Sequence, residues 1–572
     1  MKIFRGKHFC KIASVFAAIL FAFSFLSCSD GSDSGSTLAQ DGAKDAPKTD
    51  GKLSSMTSRE FAAAMTVGWN LGNTLDANDN TKGKANLGID VQTWWDMKAP
   101  TEAMIKKVAE KGFRTIRVPV SWHNHITDEK YTIDREWMAH VKKVVGWAID
   151  AGMFVILNVH HDNLTAAQMD SLYGYCIEED SALQEKSKAY LSAVWKQIAD
   201  EFKDFDEHLV FEVLNEPRHI TESDQGFNPD SDALKKWNPI IKDYEETCIS
   251  AIRNTGGNNA ARFIMVSFCV AHPTRSAGWS VPSDSASGKI LISTHAYEPY
   301  LFAMSDDTNK EFTDEFKGAL ENLFKTSGGD LSKWVNQGYG VVMGEASATD
   351  KNNTDGRKKW IGSYFTLASK LGIPVIIWDN GITWDTGDAE KRSEGECHGW
   401  FNRETLEWFY PSLVDEIIEK GKPVAVSSGS ESSKKDPLEI ASLAGKKTSW
   451  GNDISVGTEY AARLKVGSKV SFTVANNTDA EGNAYCKFRV TKNWAPCGVS
   501  EYYDASTNGK IAVEEAKDEA GNPNGTYENA DTVGAGSYYF LVTAENLGKL
   551  NNGFDIMGNF TLTKLVLSGL SE

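Results

Sequence analysis

The sequence predicts an α/β fold, a (β/α)8 TIM barrel, followed by a smaller all-β sandwich domain. Three observations carry this prediction. Eight short apolar runs alternate with helical patterns in the first two thirds of the chain, a Ser-rich break follows near residue 430, and short alternating runs fill the remainder. The chain has 572 residues, and this length is sufficient for a barrel and a second domain.

The eight apolar runs have the length of strands, and apolar residues recur at helical spacing between them, as at 102–111, 136–151 and 183–202. This alternation is typical of βαβ units and a parallel sheet. An open doubly wound sheet is the alternative, but no Gly-rich phosphate turn follows the first run, where Gly68 and Gly72 have the wrong spacing. The predicted strands are 67–71, 115–120, 154–159, 209–214, 263–268, 290–294, 341–344 and 374–378.

The first 28 residues predict a secretory signal peptide, because basic residues precede an apolar run over 12–26 that is too short to span a bilayer comfortably. The end of this run resembles a lipobox, the site at which bacterial lipoproteins are cleaved and acylated on a cysteine, here Cys28. Phe25 and Leu26 depart from the usual pattern, which has Leu and then a small residue at these positions. The alternative is ordinary cleavage nearby, which would release a soluble protein.

Two polar segments divide the rest of the chain. Residues 29–55 are rich in Ser, Gly, Asp and Lys and have almost no apolar content, so they predict a flexible tether. Residues 426–436 have a similar composition and predict a linker. The predicted domains are therefore a signal peptide over 1–28, a barrel over 56–425 and a β-sandwich over 437–572.

Composition excludes several classes of function. Hydrophobic residues make up 41% and charged residues 24% of the chain, which is typical of folded globular proteins and excludes wholesale disorder. The net charge of −18 would repel phosphate backbones, so nucleic acid is not an expected partner. Aromatic residues reach 11%, with 17 Trp, and favour stacking on sugar rings. No later run is long enough to span a membrane, so contact with one would depend on a lipid at Cys28.

Polar side chains follow almost every predicted strand. Because the C-terminal ends of barrel strands face one mouth, these residues should converge in space. Two of them are glutamates, which need either salt bridges to barrel cations or a catalytic role. Adjacent strand residues point to opposite faces, so the sequence His160-His161-Asp162 does not predict a metal site. The expected mouth residues include Asn73, Arg117, His160, His161, Asn215, Glu216, His295, Tyr297, Glu345 and Trp378.

Paired carboxylates beside aromatic side chains are what glycoside hydrolysis requires, one as acid/base and the other as nucleophile or water activator. Seven motifs in register along the strands resemble glycoside hydrolase family 5, nearest its branch of endoglucanases, lichenases and xyloglucanases. The resemblance covers about residues 56–422. It implies a retaining β-glycanase without metal or organic cofactor, with Glu216 as acid/base and Glu345 as nucleophile. The motifs are WNLGNTLD (69–76), IRVPVSW (116–122), NVHHD (158–162), NEP (215–217), HAY (295–297), GE (344–345) and WDNG (378–381).

The resemblance also implies supporting roles. Arg117 and Tyr297 would hydrogen-bond Glu345 and keep it ionised. Asn215 would bind the sugar 2-hydroxyl, a contact that tightens in the transition state. The remaining roles are His160 and His295 to orient the carboxylates and sugar hydroxyls, Trp378 to form the floor beneath the reacting ring, and His161 and Asn73 to line the neighbouring subsite.

The segment after residue 436 consists of short alternating runs with Gly, Asn and Asp turns, typical of a β-sandwich. Its aromatic residues, among them Trp450, Trp494 and four tyrosines, favour a carbohydrate-binding module, and a purely structural sandwich is the alternative. Cys486 and Cys497 leave open a disulfide or two buried thiols. The predicted strands include 470–474, 485–490, 537–542 and 560–567.

The leading hypothesis is an exported retaining endo-β-1,4-glucanase, monomeric, that hydrolyses cellulose-like, mixed-linkage or xyloglucan polysaccharides. We expect it as a cell-surface or outer-membrane lipoprotein, or otherwise as a secreted enzyme. The same barrel with different mouth loops would be an endo-β-mannanase or a xylanase. A third hypothesis is a catalytically idle glycan-binding surface lipoprotein, against which the presence of both carboxylates counts.

Overall fold

The computed structural model describes residues 55–570, apart from 306–307, 327, 423–436, 441–442, 449–452, 479–483, 493–494 and 518–520. Cys28, almost all of the predicted tether, the whole predicted linker, Trp450 and Trp494 therefore lie outside the described residues. Within the described part, every helix is too short or too polar to cross a bilayer.

Eight parallel strands close into a barrel, and their order around it follows their order in the chain. The predicted TIM barrel is thereby confirmed, and the open doubly wound alternative is wrong. Most strands end before the apolar run does; the second, for example, ends before Pro119, which has no N–H for the sheet. The strands are β1 (Val67–Asn70), β2 (Thr115–Val118), β3 (Phe154–Asn158), β4 (Leu209–Glu212), β5 (Ile264–Val266), β6 (Ile290–His295), β7 (Gly340–Ala346) and β8 (Val375–Ile377).

Helices precede, separate and follow these strands in the chain, and side-chain caps fix where several of them start. Thr101 accepts the main-chain N–H of Met104, and Asp134 accepts that of Trp137. The helices are α1 (Ser58–Met65), α2 (Glu102–Lys111), α3 (Arg135–Asp150), α4 (Ser181–Glu201), α5 (Ser231–Arg253), α6 (Tyr300–Ala303), α7 (Asp314–Leu323), α8 (Ser332–Asn336), α9 (Thr354–Lys370), α10 (Ala389–Ser393) and α11 (Pro411–Lys420). The predicted helices at 102–111, 136–151 and 183–202 are confirmed as α2, α3 and α4.

The helix α1 covers the N-terminal end of the barrel. Its apolar face packs against buried side chains near the starts of the strands, and the Phe61 ring stacks on that of Phe263 with 3.9 Å between centroids. The Ser58 hydroxyl accepts the N–H of Gly340, the first residue of β7, at 3.0 Å. The opposite, C-terminal end of the barrel is therefore the end that is left to form a mouth.

After the barrel, a short hairpin of β9 (Phe401–Asn402) and β10 (Glu407–Trp408) precedes α11. The part from residue 437 onward confirms the predicted all-β architecture, with two antiparallel sheets in the orders β11-β23-β13-β21-β17-β18 and β12-β22-β15-β20-β19. Two single-turn helices, α12 (Thr458–Ala461) and α13 (Leu547–Leu550), accompany them. The strands are β11 (Leu438–Glu439), β12 (Ile454–Val456), β13 (Lys469–Thr478), β14 (Ala484–Tyr485), β15 (Phe488–Lys492), β16 (Ala495–Pro496), β17 (Tyr502–Asp504), β18 (Lys510–Ile511), β19 (Val513–Lys517), β20 (Pro523–Asn529), β21 (Gly536–Leu541), β22 (Phe554–Gly558) and β23 (Phe560–Ser568).

The sheets have a hydrophobic core of their own, built from alternate residues of the strands and from both cysteines. The sequence left open whether Cys486 and Cys497 form a disulfide or remain two buried thiols. In the structure they are two buried free thiols. Of the four tyrosines considered for a binding face, Tyr502, Tyr538 and Tyr539 are at most 8% exposed. Tyr503 is partly exposed and stacks on Tyr539 with 5.1 Å between ring centroids.

Candidate active site

The polar residues predicted for the mouth do meet at the C-terminal end of the barrel. They come from strands far apart in the sequence, and their positions just inside or just beyond each strand end explain why they converge. Direct hydrogen bonds or ion pairs join six of the ten predicted residues into one network: Arg117, Asn215, Glu216, His295, Tyr297 and Glu345.

Glu345, on β7, is held by two donors. The Arg117 Nη1 lies 2.6 Å from Oε1, and the Tyr297 hydroxyl donates to Oε2 at 2.7 Å. Burial and the neighbouring Glu345 charge raise the pKa of Tyr297, so this phenol remains a donor. A cation and a neutral donor thus stabilise the carboxylate form of Glu345 and fix its orientation.

Glu216 follows β4 and has different neighbours. Its Oε1 lies 2.9 Å from His295 Nδ1, and its Oε2 lies 4.0 Å from Arg218 Nη1. The Glu216 side chain is 18% exposed, whereas that of Glu345 is 8% exposed. Burial opposes ionisation of Glu216, but His295 and Arg218 outweigh it and lower its pKa in the free protein.

His295 lies between the two glutamates. Its Nδ1 is also 3.8 Å from an oxygen of Glu345. Burial alone would disfavour the imidazolium, but the charge of Glu345 and contacts with Glu212 and Glu216 raise the pKa of His295 to about 9. Gly344 leaves the room that this ring needs, since a Cβ at that position would lie 3.0 Å from His295 Nε2.

Glu212 is a third carboxylate of this network, and the sequence reasoning missed it. It is the last residue of β4, is fully buried, and receives Arg117 Nε at 2.8 Å and Asn158 Nδ2 at 2.9 Å. The Ser293 hydroxyl donates to its other oxygen at 2.6 Å. The available signal was a single charged residue within the apolar run 209–214.

Trp378, His160 and His161 form a wall beside the carboxylates. The rings of His160 and Trp378 are parallel, with 6.0 Å between centroids and 2° between planes. The expectation that His160 and His161 point to opposite faces is wrong, because β3 already ends at Asn158, and the two rings lie 4.3 Å apart. The Trp95 ring lies 5.7 Å from that of His161 and extends the aromatic wall.

Asn73 lies three residues after β1 in a left-handed conformation, with φ of 55°. Its main-chain N–H donates to Asp76 at 3.0 Å, so this turn fixes the Asp76 carboxylate. The Asn73 turn is thus linked to the histidines through Asp76, whose carboxylate lies within 4.8 Å of His160 and His161.

Two groups of side chains bring possible metal ligands within 4.8 Å of one another, namely Glu216, His295 and Glu345, and Asp76, His160 and His161. In the first group the carboxylates already contact Arg117 and the cationic His295, which would repel a metal ion. In the second group both Asp76 oxygens already accept main-chain N–H groups, from Asn73 at 3.0 Å and from Thr74 at 2.6 Å. The arrangement suits acid/base and nucleophilic chemistry by two carboxylates better.

Comparison with known proteins agrees with this chemistry. A sequence profile of the cellulase family, glycosyl hydrolase family 5, matches residues 77–383. Endoglucanase 1 of Ruminococcus albus is 35% identical over 369 residues, which cover 64% of this chain and 82% of the relative. Endoglucanase B of Neocallimastix patriciarum is 34% identical over 378 residues, which cover 64% of this chain and 72% of the relative.

Solved structures are similar over the same share of the chain. A glycoside hydrolase family 5 lichenase from Caldicellulosiruptor, in complex with cellotetraose, is 31% identical with a TM-score of 0.56 and covers 64% of this chain and 96% of its own. A broad-specificity family 5 endoglucanase from Ruminococcus champanellensis, with bound cellotriose, is 34% identical with a TM-score of 0.55 and covers 64% and 98%. This chain therefore belongs to glycoside hydrolase family 5 and is a glycoside hydrolase of the cellulase type.

Proposed function

We propose that this enzyme is a retaining endo-β-1,4-glucanase in which Glu345 is the nucleophile and Glu216 the acid/base. One distance carries the proposal: an oxygen of Glu216 lies within 4.8 Å of an oxygen of Glu345. Retaining glycosidases hold their carboxyl groups about 5–5.5 Å apart, whereas inverting ones leave about 6.5–9.5 Å for a water molecule. The short separation supports direct attack by one carboxylate.

The unequal surroundings of the two glutamates support the division of roles. A nucleophile must stay ionised, and Glu345 has Arg117 and Tyr297 as donors. An acid/base must exchange its proton with the leaving group and with water, and Glu216 is the more exposed of the two. Asn215 supports the same division, because its oxygen accepts from Arg117 at 2.6 Å and its amide N–H groups remain to donate to a sugar hydroxyl.

The stereochemical outcome tests the mechanism. If Glu345 attacks and water then displaces it, two inversions leave the β-configuration, so the first-formed product of a cello-oligosaccharide should be the β-anomer. Proton NMR within the first minutes, before mutarotation, measures the ratio of the β-anomer to the α-anomer. An initial excess of the α-anomer would contradict the proposed pair.

We propose β-1,4-linked glucans as the substrate class, which includes cellulose-like, mixed-linkage and xyloglucan polymers. The similar lichenase was solved with cellotetraose and the similar broad-specificity endoglucanase with cellotriose, and both ligands are β-1,4-glucan fragments. The wall of Trp378 and Trp95 offers ring faces for such sugars. Initial rates measure the preference on a panel of soluble cellulose derivative, barley β-glucan, xyloglucan, mannan and xylan. Turnover of mannan or xylan alone would contradict the proposed β-1,4-glucan substrate class.

We also propose that the chain is exported and acylated on Cys28. The support is the sequence of the first 28 residues, with its basic start, apolar run and terminal cysteine. Incorporation of a labelled fatty acid into the parent chain but not into Cys28→Ser would agree with the proposal, and equal labelling would contradict it.

We propose further that the C-terminal sheets act as a carbohydrate-binding module. The partly exposed Tyr503 and the 41% exposed Leu541 lie on the sheet that contains β17 and β21. Among the described residues the barrel core contains no residue beyond 418 and the second core none before 438, so the two cores do not depend on shared side chains.

A chain shortened to end at residue 427 should therefore fold and keep its turnover of soluble oligosaccharides. Hydrolysis of insoluble glucan should fall, by roughly 10-fold or more at low substrate, because a tethered binding face raises the local substrate concentration without changing the transition state. Initial rates on soluble oligosaccharide and on insoluble glucan measure the two effects separately. An insoluble or inactive shortened chain would instead assign the C-terminal sheets a structural role.

A further inference from the structure

We infer that Glu212 is a positioning residue whose negative charge balances Arg117 and His295 and thereby keeps Glu216 able to hold its proton. The inference rests on the proposed roles of Glu216 and Glu345 and adds a third carboxylate to them. Glu212 is fully buried, so it acts through other side chains and not by contact with substrate.

The contacts of Glu212 place it behind both cations. Its Oε2 lies 2.8 Å from Arg117 Nε and 2.7 Å from Nη2, while Nη1 of the same guanidinium reaches Glu345. Its Oε1 lies 3.9 Å from His295 Nε2, while Nδ1 of that ring reaches Glu216. Each cation therefore lies between Glu212 and one of the two catalytic glutamates.

Glu212 stays ionised while these groups act. Burial alone would favour its neutral form, but the Arg117 charge, the nearby His295 ring and a hydrogen bond from Ser293 lower the pKa of Glu212 to about 2. With Glu212 and Glu345 both negative, the charges of Arg117 and of protonated His295 are compensated. Removing the Glu212 charge would leave one positive charge in excess, and Glu216 would ionise more readily.

Other charged groups also surround Glu216. Arg218 adds a partly exposed cation 4.0 Å away, and it stays in place when Glu212 is changed. The titratable and charged groups that face Glu216 are His295 from β6, Arg117 from β2, Glu345 from β7, Arg218 after β4, His161 after β3, Arg275 and Cys269 after β5, and Tyr297 after β6.

The test is the pH dependence of kcat/KM in Glu212→Gln, which keeps the shape of the side chain and removes its charge. Activity falls at high pH as Glu216 loses its proton, so easier ionisation of Glu216 moves the alkaline limb of the profile toward lower pH. We expect a shift of roughly one pH unit. An unmoved profile, or one moved toward higher pH, in a folded variant would overturn the inference.

A second variant should shift the pH profile in the opposite direction. His295→Gln removes a positive charge, so its profile should move toward higher pH, and the double variant should return toward the parent profile. If Glu212→Gln does not fold, the pH profile of His295→Gln still tests the charge balance. A shift of that profile toward lower pH would overturn the inference.

The matched control is Asp284→Asn, which removes a carboxylate from a nearly buried ion pair with Arg253 of α5, 2.6 Å away. It should leave the pH profile in place even if thermal stability falls, whereas an equal shift would show that the effect is not specific to Glu212. A different result would show that Glu216 is not the acid/base. In that case Glu216→Ala would keep the alkaline limb of the parent pH profile.

Discussion

An enzyme in which Glu345 is replaced by alanine should lose nearly all hydrolysis of β-glucan, by at least about 10⁴-fold in kcat/KM. The reason is that Glu345 would supply the bond to the anomeric carbon, and neither Arg117 nor Tyr297, its two donors, can replace a carboxylate. Initial rates on barley β-glucan measure the loss. Glu404→Ala, the same change at a side chain that is 73% exposed, is the control and should retain the parent rate.

A small anion should partly restore activity of Glu345→Ala on an activated aryl glycoside. Azide would occupy the space of the lost carboxylate and attack from the same face, which gives an α-glycosyl azide through a single inversion. NMR identifies the anomer of the product. A β-glycosyl azide from this variant would assign the nucleophile to the other glutamate.

Replacing Glu216 with alanine should produce a loss that depends on the leaving group. Hydrolysis of polymer should fall by roughly 10²–10⁴-fold, the usual contribution of a general acid. Cleavage of an aryl glycoside with a good leaving group should still begin at near the parent rate, because that group needs little protonation. Pre-steady-state release of the phenol against steady-state turnover measures the two steps separately.

Azide should convert the intermediate of Glu216→Ala into a β-glycosyl azide, because it would enter from the face that Glu216 occupies. The two variants thus predict opposite anomers from one reagent. If both gave the same anomer and the same dependence on the leaving group, the assigned division of roles would be wrong.

The barrel could be predicted from the sequence because its strands are buried on both faces and therefore read as continuous apolar runs. The run that contains β3, for example, has five consecutive buried residues. Glu216 and Glu345 could be found for the same reason, since a charged residue at the end of such a run stands out. The family motifs then assigned roles that spacing alone does not distinguish.

Other parts of the site could not be predicted, because they depend on residues far apart in the sequence. Glu212 lies inside a strand, where alternate side chains point into the barrel, and its meaning depends on Arg117 from β2 and His295 from β6. The relative orientation of His160 and His161 was predicted wrongly, because a run of apolar residues does not show where its strand ends. The helices α6 to α8, between β6 and β7, were likewise not distinguished.

The helix α1 also keeps the entry of the chain away from the catalytic groups. The chain reaches the barrel through α1, which is fixed to the base of β7 through Ser58, while Glu345 lies toward the far end of the same strand. A glucan bound across the mouth would therefore not meet the segment by which the chain enters the barrel.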